Sequence, residues 1–452
     1  MNKRLSSLLF AALFVALCLL PGLATAIVGP SDTVANEPPV AAPSLRSWDG
    51  SFNTRVLSQA ADWLGQHFAL RRDAITLWAG LNAKLLRSSV TDSVLLGRDG
   101  WLYYAPTRGD YTRSDPMSER EIWCAARTLF LLQENAESRG ADFLFTLAPN
   151  KNSLYPEHMP TLTRRDAPSD ARRLSARLEE MGVRYADLFA AFEAQGESLY
   201  FPTDSHWNGK GAALAADVLL GALGRNSAFF AGPFADSTHR GDLYEMLYPA
   251  GKREDPDYIY TGLSFTADSD NPDNITIRTE SAAGAGRLLC YRDSFGRNLY
   301  PFLAQSFAQA TFSRKNVYDP GTLGEGDTMV VELVERNLSY LLENDPPFPS
   351  PVRELGARSW LSAEDESVKL TLAKGASTGY TVLHGEFGAR TPDDDSPIYA
   401  IVGGPDAGIS YYEALPRPEG FTLCIPADAD GSVRLLFTVN GQWVSLPGVL
   451  QD

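Results

Sequence analysis

Histidine and cysteine are scarce in this chain, five and four among 452 positions. No two of them stand at the spacing of a metal-ligand pair, so neither a dedicated metal site nor a metal cofactor is expected. Cys18 falls in the leader, which leaves Cys124, Cys290 and Cys424, an odd and widely spaced set. That is no disulfide framework, and the three read as buried thiols acting as small hydrophobes. Positive charge is also short: 40 Lys and Arg against 56 Asp and Glu give a net charge of −16. Such a surface repels phosphate backbones and argues against nucleic acid. An anionic polysaccharide stays open, because a local basic groove can sit on an acidic protein. Long apolar runs are absent except for Leu8–Leu20, 13 residues behind Lys3 and Arg4 and ahead of Ala24-Thr25-Ala26. A bilayer span needs roughly 20 apolar residues, so 1–26 reads as a cleaved signal peptide first and a membrane anchor second. Either makes the chain exported, periplasmic or extracellular.

What the chain has is a globular composition, 44% hydrophobic and 11% aromatic, at a length that suits two or three domains. Residues 27–52 are a Pro- and Ala-rich linker, and 53–88 look helical. Val94-Leu95-Leu96 and Leu102-Tyr103-Tyr104 flank an Asp99-Gly100 turn, a hairpin signal. Helix and strand patterns then alternate. Ser118-Glu119-Arg120-Glu121 has the form of a capping box, and Phe143–Leu147 is a continuous apolar strand. Ser169–Met181 is a helix closed by Gly182, and Asn208 caps another. Arg287–Tyr291, Ala310–Ser313 and Met329–Val334 are further strands, and 225–285 is an irregular insertion with some β content. The pattern predicts an α/β domain over 53–345, a mostly parallel sheet covered on both sides. Beyond Pro346-Pro347-Phe348-Pro349, short β-type runs separated by Gly, Pro and Asp predict an all-β, sandwich-like domain over 350–452.

Three pieces carry chemistry. In Thr203-Asp204-Ser205-His206-Trp207, an extended chain would point Asp204 and His206 the same way and Ser205 away. The carboxylate can then orient the imidazole as a base. In Arg292-Asp293-Ser294-Phe295-Gly296, the serine stands at a strand-to-helix turn, where α/β folds place ligands and where backbone N–H groups can hold an oxyanion. Asn150 and Lys151 follow another strand end and suit an oxyanion donor and an anionic sugar. Each piece alone also suits a helix cap or a plain turn. Their convergence on one sheet edge is what points to a site. Glu332 and Glu335 end a strand nearby and read as salt-bridge partners, and Asp393-Asp394-Asp395 as a solvated loop.

The set resembles the bacterial alginate O-acetylation proteins and their relatives with an Asp-His-His-Trp signature, which are SGNH-hydrolase-like. The matching blocks are Leu96–Tyr104, Pro149-Asn150-Lys151 with Tyr155-Pro156-Glu157, Thr203–Asn208 with Gly211-Ala212, Gly241-Asp242-Leu243 and Arg292–Gly296. The resemblance covers about 94–340 and departs from the signature at Ser205, where the family has His. It implies an SGNH-hydrolase-like three-layer domain and an acyl-transfer site with Ser294 as nucleophile, His206 as base and Asp204 as its orienting carboxylate. Asn150, Lys151, Trp207 and Arg292 count as oxyanion or substrate-binding candidates. The implied function is an extracytoplasmic polysaccharide O-acetyltransferase without cofactor. Its partners would be a polysaccharide or cell-wall glycan and a membrane protein that delivers the acyl group. The β-rich tail would bind carbohydrate. A carbohydrate acetyl esterase and a non-catalytic glycan-binding or assembly factor are the competing readings.

Overall fold

Alternation sorts the strand residues of the central sheet between two cores. Leu144, Val330 and Val334 point into one, while Phe143, Phe145, Leu147, Met329, Val331 and Leu333 point into the other. That is the period of two expected of strands buried on both faces. The computed structural model describes residues 3–34, 37–373, 379–403, 409–427 and 432–451. Met1 and Asn2 of the leader, and 374–378, 404–408 and 428–431 of the β-rich region, lie outside the described residues.

The strands are β1 (Val94–Leu96), β2 (Leu102–Tyr104), β3 (Asp142–Ala148), β4 (Tyr185–Ala186), β5 (Phe234–His239), β6 (Asp255–Tyr260), β7 (Thr266–Ala267), β8 (Thr276–Glu280), β9 (Arg287–Tyr291), β10 (Gln309–Ser313) and β11 (Thr328–Val334). β1 and β2 form the expected hairpin, with Asp99 and Gly100 at φ of 54° and 78°. The central sheet runs β4-β3-β11-β9-β10-β8-β7. Its first five strands are parallel; β8 runs antiparallel to β10, and the short edge strand β7 antiparallel to β8. The region 225–285 therefore supplies sheet strands as well as the β5–β6 ribbon.

Helices cover both faces. Glu119–Ser138 opens with the expected capping box and packs with Asp170–Met181 on one side. Gly209–Ala222 and Gly296–Ser306 pack together on the other. This is the three-layer, SGNH-hydrolase-like α/β domain. The helical stretch over 53–88 is two helices, Val56–His67 and Arg71–Leu85, broken at Leu70, whose φ is 66°. Ahead of them Ser7–Val28 forms an apolar helix long enough, at 22 residues, to cross a membrane.

The C-terminal strands follow one hydrogen-bonded path that curls around its own core, from Val368 and Leu370 through Phe437 and Leu446. It includes a last strand, Gln442–Leu450, that the sequence patterns left unassigned. It docks on helix Glu119–Ser138 through charge. Buried Glu413 lies 2.6 Å from both Arg127 and Arg353, and Arg353 also reaches Glu134 at 2.5 Å. Arg120 donates to the carbonyls of Asp393, Asp394 and Ser396. The Asp393 carboxylate accepts from the N–H groups of Asn440 and Gly441. The triple-Asp loop is thus a docked turn; only Asp394 and Asp395 are exposed.

Candidate active site

Ser294 stands just past the carboxyl end of β9, ahead of helix Gly296–Ser306. Asp293 fixes this turn. Its carboxylate accepts from the N–H of Phe295 at 2.9 Å, the N–H of Val334 at 2.7 Å and the Asn337 amide at 2.8 Å. Asp204 and His206 lie in a tight reversal whose stem is closed by Asn208 N–H to Leu199 C=O and Phe201 N–H to His206 C=O. Two bonds join this reversal to the serine turn: Trp207 Nε1 donates to Phe295 C=O at 3.1 Å, and Asn298 donates to Trp207 C=O at 3.2 Å. The close approach of a third segment requires glycine, since a Cβ at Gly241 would lie 2.2 Å from the Thr203 carbonyl oxygen.

The three residues meet in a line. His206 Nδ1 is 2.7 Å from Asp204 Oδ1, and His206 Nε2 is 2.9 Å from Ser294 Oγ. Asp204 is buried and accepts four N–H donors. Oδ1 takes the backbone N–H and Nδ1 of His206; Oδ2 takes His239 Nε2 and the Asp242 N–H, each at 2.8 Å. Burial acts to raise the Asp204 carboxyl, but the His206 and His239 interactions outweigh it and hold it well below the usual carboxylate range. Because Asp204 can only accept, it selects the tautomer with the proton on His206 Nδ1, leaving Nε2 as the acceptor for Ser294.

The local geometry is not the extended strand that the spacing suggests, and this changes the place of Ser205. Its hydroxyl donates to Asp242 Oδ2 at 2.7 Å and lies 3.2 Å from His206 Nδ1. It lines the cleft rather than facing away. Asp242 also accepts the Ser205 N–H and comes within 3.7 Å of Nδ1. Burial and the neighbouring Asp204 raise the Asp242 carboxyl. His239 is the residue that sequence reasoning missed entirely, in the supposedly irregular insertion. Burial lowers its imidazole, but the hydrogen bond to Asp204 and the charges of Asp204, Asp257 and Asp242 win and raise it. Asp204, His206 and Asp242 bring donor atoms within 4.8 Å of one another. The Asp204 oxygens are already directed at N–H donors, so a cation there would displace the hydrogen bonds that hold the site.

The other candidates sit behind the cleft wall, not on it. Lys151 is buried, and its ammonium donates to the carbonyls of Phe201, Pro202 and Asp204 at 3.1, 3.1 and 2.6 Å, beside the Trp101 and Tyr103 rings. Burial pushes it down to about 7. It braces the Asp204 reversal instead of holding a sugar. Asn150 is fully buried, donating its side chain to Asp110 and its N–H to Glu335. Trp207 ties the two loops, and Arg292 is buried against Pro272 and Tyr300. Apolar periodicity cannot separate a residue that lines a cleft from one that supports it. Glu332 and Glu335 are likewise buried and, among the described residues, in no ion pair. Glu332 accepts the Asp293 N–H, and burial drives both carboxyls upward.

The cleft itself has about 600 Å³. Asp242, His206, Ser205 and Ser294 line it with Tyr104, Asp110, Asn316 and Arg336 among others. The Arg336 guanidinium lies 5.3 Å from both the Tyr104 and Phe295 rings and has no carboxylate partner among the described residues. Asp110 is raised to about 7, by burial first and Glu335 second. A raised carboxyl holds its proton in the folded chain while the unfolded chain has released it. Its stabilising share is therefore full below pH ~4 and lost as pH climbs through ~7. Asp110→Asn is expected to stabilise the protein at pH 8 by about 2 kcal/mol and to change little at pH 4.5, as read from thermal melts.

Residues 94–277 match the family model described as the SGNH hydrolase-like domain of acetyltransferase AlgX. The chain is 28% identical over 225 residues to a probable alginate O-acetylase AlgJ of Pseudomonas syringae, covering 45% of this chain and 56% of that protein. For the Pseudomonas aeruginosa protein of the same name the identity is 26% over 198 residues, covering 40% and 48%. The chain thus matches about half the length of these relatives. Among solved structures it is similar to the O-acetyltransferase domain of Pseudomonas putida AlgJ, at 18% identity, 56% of this chain, 94% of that chain and a TM-score of 0.39. It is also similar to Bacillus cereus PatB1, at 19% identity, 54% of this chain, 96% of that chain and a TM-score of 0.43. The resemblance read from the motif blocks is borne out.

Proposed function

We propose that this chain is an extracytoplasmic polysaccharide O-acetyltransferase that works through an acetyl-serine on Ser294. The observation that carries the reading is the unbroken line from Asp204 through His206 to Ser294 on the wall of an open cleft. The similarity to proteins named alginate O-acetylases supports the same chemistry. His206 Nε2 takes the Ser294 proton as Oγ attacks the acetyl carbonyl of an activated donor. The donor's leaving group departs with that proton, and the acetyl group stays on Oγ. A sugar hydroxyl then gives its proton to Nε2 and attacks the acyl carbon, and Ser294 leaves and recovers the proton. Asp204 holds Nδ1–H throughout and stabilises the imidazolium that forms within each half-reaction. The Ser294 N–H has no protein acceptor among the described residues and is the donor open to the oxyanion. Arg336 supplies a cation on the same wall.

In this reading residues 1–26 export or anchor the chain, 53–345 form the catalytic unit and 350–452 hold the glycan. A membrane protein presents the acyl donor. The test combines a fluorophosphonate probe with a transfer assay, using a chromogenic acetyl ester and acetyl-free oligosaccharides. Adduct formation at Ser294 and acetylated sugar in the mass spectrum are expected. A folded sample that neither reacts at Ser294 nor transfers acetyl would sink the reading. Acetate release without sugar product would reassign the same triad to hydrolysis.

A further inference from the structure

The helix Arg71–Leu85 buries only Ala79. Leu77, Trp78, Leu81 and Leu85 stand at helical spacing along it and are 66%, 61%, 45% and 76% exposed, and Leu86 follows at 69%. A soluble surface rarely leaves so much apolar area contiguous, and such a patch marks a contact. Two independent features say what that contact is. The first is continuity. The turn before this helix is bonded to the end of the 22-residue apolar helix: Ala69 N–H donates to Thr25 Oγ1 at 2.9 Å, and Ser31 N–H donates to His67 C=O at 2.8 Å. Arg71 pairs with Glu37 of the connecting segment through two bonds of 2.7 and 2.9 Å. The exposed face therefore begins where a membrane-length helix stops. The second is charge. Between 52 and 90 the basic side chains are Arg55, Arg71, Arg72, Lys84 and Arg87 against Asp62 and Asp73, in a chain whose net charge is −16. Arg71 and Arg72 are paired with Glu37 and Asp32, while Arg55, Lys84 and Arg87 are exposed and in no ion pair among the described residues. Basic residues around an apolar helical face with a tryptophan on it are what an interface with anionic headgroups selects.

We infer that the Leu77–Leu86 face of this helix lies on an anionic lipid bilayer, with Trp78 at the depth of the headgroup and acyl boundary. The occupant is the lipid surface; the inference rests on the first helix being kept as the anchor and stands apart from the acetyl-transfer reading. The experiment uses the full-length chain in vesicles of phosphatidylcholine and phosphatidylglycerol brominated on their acyl chains. Bromine is expected to quench a component of the tryptophan emission that Trp78→Phe lacks, and replacing phosphatidylglycerol by phosphatidylcholine should weaken that component. Leu77→Asp, Leu81→Asp and Leu85→Asp combined change only exposed positions, so an unchanged melt checks the fold. This variant should stay on the vesicles through its first helix yet lose the same quenched component. Identical quenching of wild type and Trp78→Phe would overturn the inference. So would an unquenched Trp78 in a chain of doubled mass by light scattering, if the triple variant is monomeric, because the face would then join two copies.

Discussion

Ser294→Ala is expected to lower acetyl transfer by about four orders of magnitude, with the melting temperature almost unchanged. The rate loss follows from chemistry, since no other hydroxyl can take the acetyl group at His206 Nε2 without rebuilding the turn. The intact stability follows from geometry. Among the described residues the Ser294 side chain bonds only to Nε2, whereas the neighbouring Asp293 carboxylate carries the bonds that anchor the turn. Asp204→Ala would be a poorer test, because it strands four N–H donors as well as freeing the imidazole. Parallel transfer assays and melts of Ser294→Ala separate the two effects. Residual transfer within tenfold of wild type would remove Ser294 from the mechanism.

Glu413→Ala is expected to destabilise the protein by about 3–5 kcal/mol. The carboxylate is buried between Arg127 and Arg353, whose side chains are only 17% and 22% exposed. Its loss leaves Arg127 without an anion where water reaches poorly, while Arg353 keeps its pair with Glu134. The cost falls on the contact between helix Glu119–Ser138 and the β-rich region. Calorimetry should show a lowered transition, and hydrogen exchange should rise first in the Ser410–Glu413 strand. Glu413→Gln keeps an acceptor and should lose roughly half as much. A Glu413→Ala penalty below ~1 kcal/mol would show the pair to be solvated in practice.

Much of the fold was legible because the strands near the centre of the sheet are buried on both faces and flanked by caps. The run Phe143–Leu147, the Ser118 box and Gly182 each act locally, and local signals survive in a sequence. Asp204, His206 and Ser294 were legible for a similar reason, since each stands beside a turn or cap that marks a sheet edge. The supporting residues were not. Lys151 looks like a surface cation, and what makes it a brace is three carbonyls some 50 residues away. Alternation turns Ser205 away from the pair only in an extended chain, and the chain there reverses. His239 belongs to a ribbon that carries little periodic pattern, and only tertiary contact brings it to Asp204. The break at Leu70 was hidden because apolar spacing runs on across it, and the left-handed residue there is not a glycine.

β11 has a consequence for the order of synthesis. It is the last strand of the central sheet to be made, yet it lies between β3 and β9, which do not touch without it. Until it inserts, the strand that leads to Lys151 and the strand that leads to Ser294 belong to separate sheets. Val334 and Asn337, which grip Asp293, also arrive with it. Non-local pairing of this kind is slow and comes late. A chain arrested between Ser294 and Asn337 would carry Asp204, His206 and Ser294 and still lack the full set of bonds that fixes the Ser294 turn.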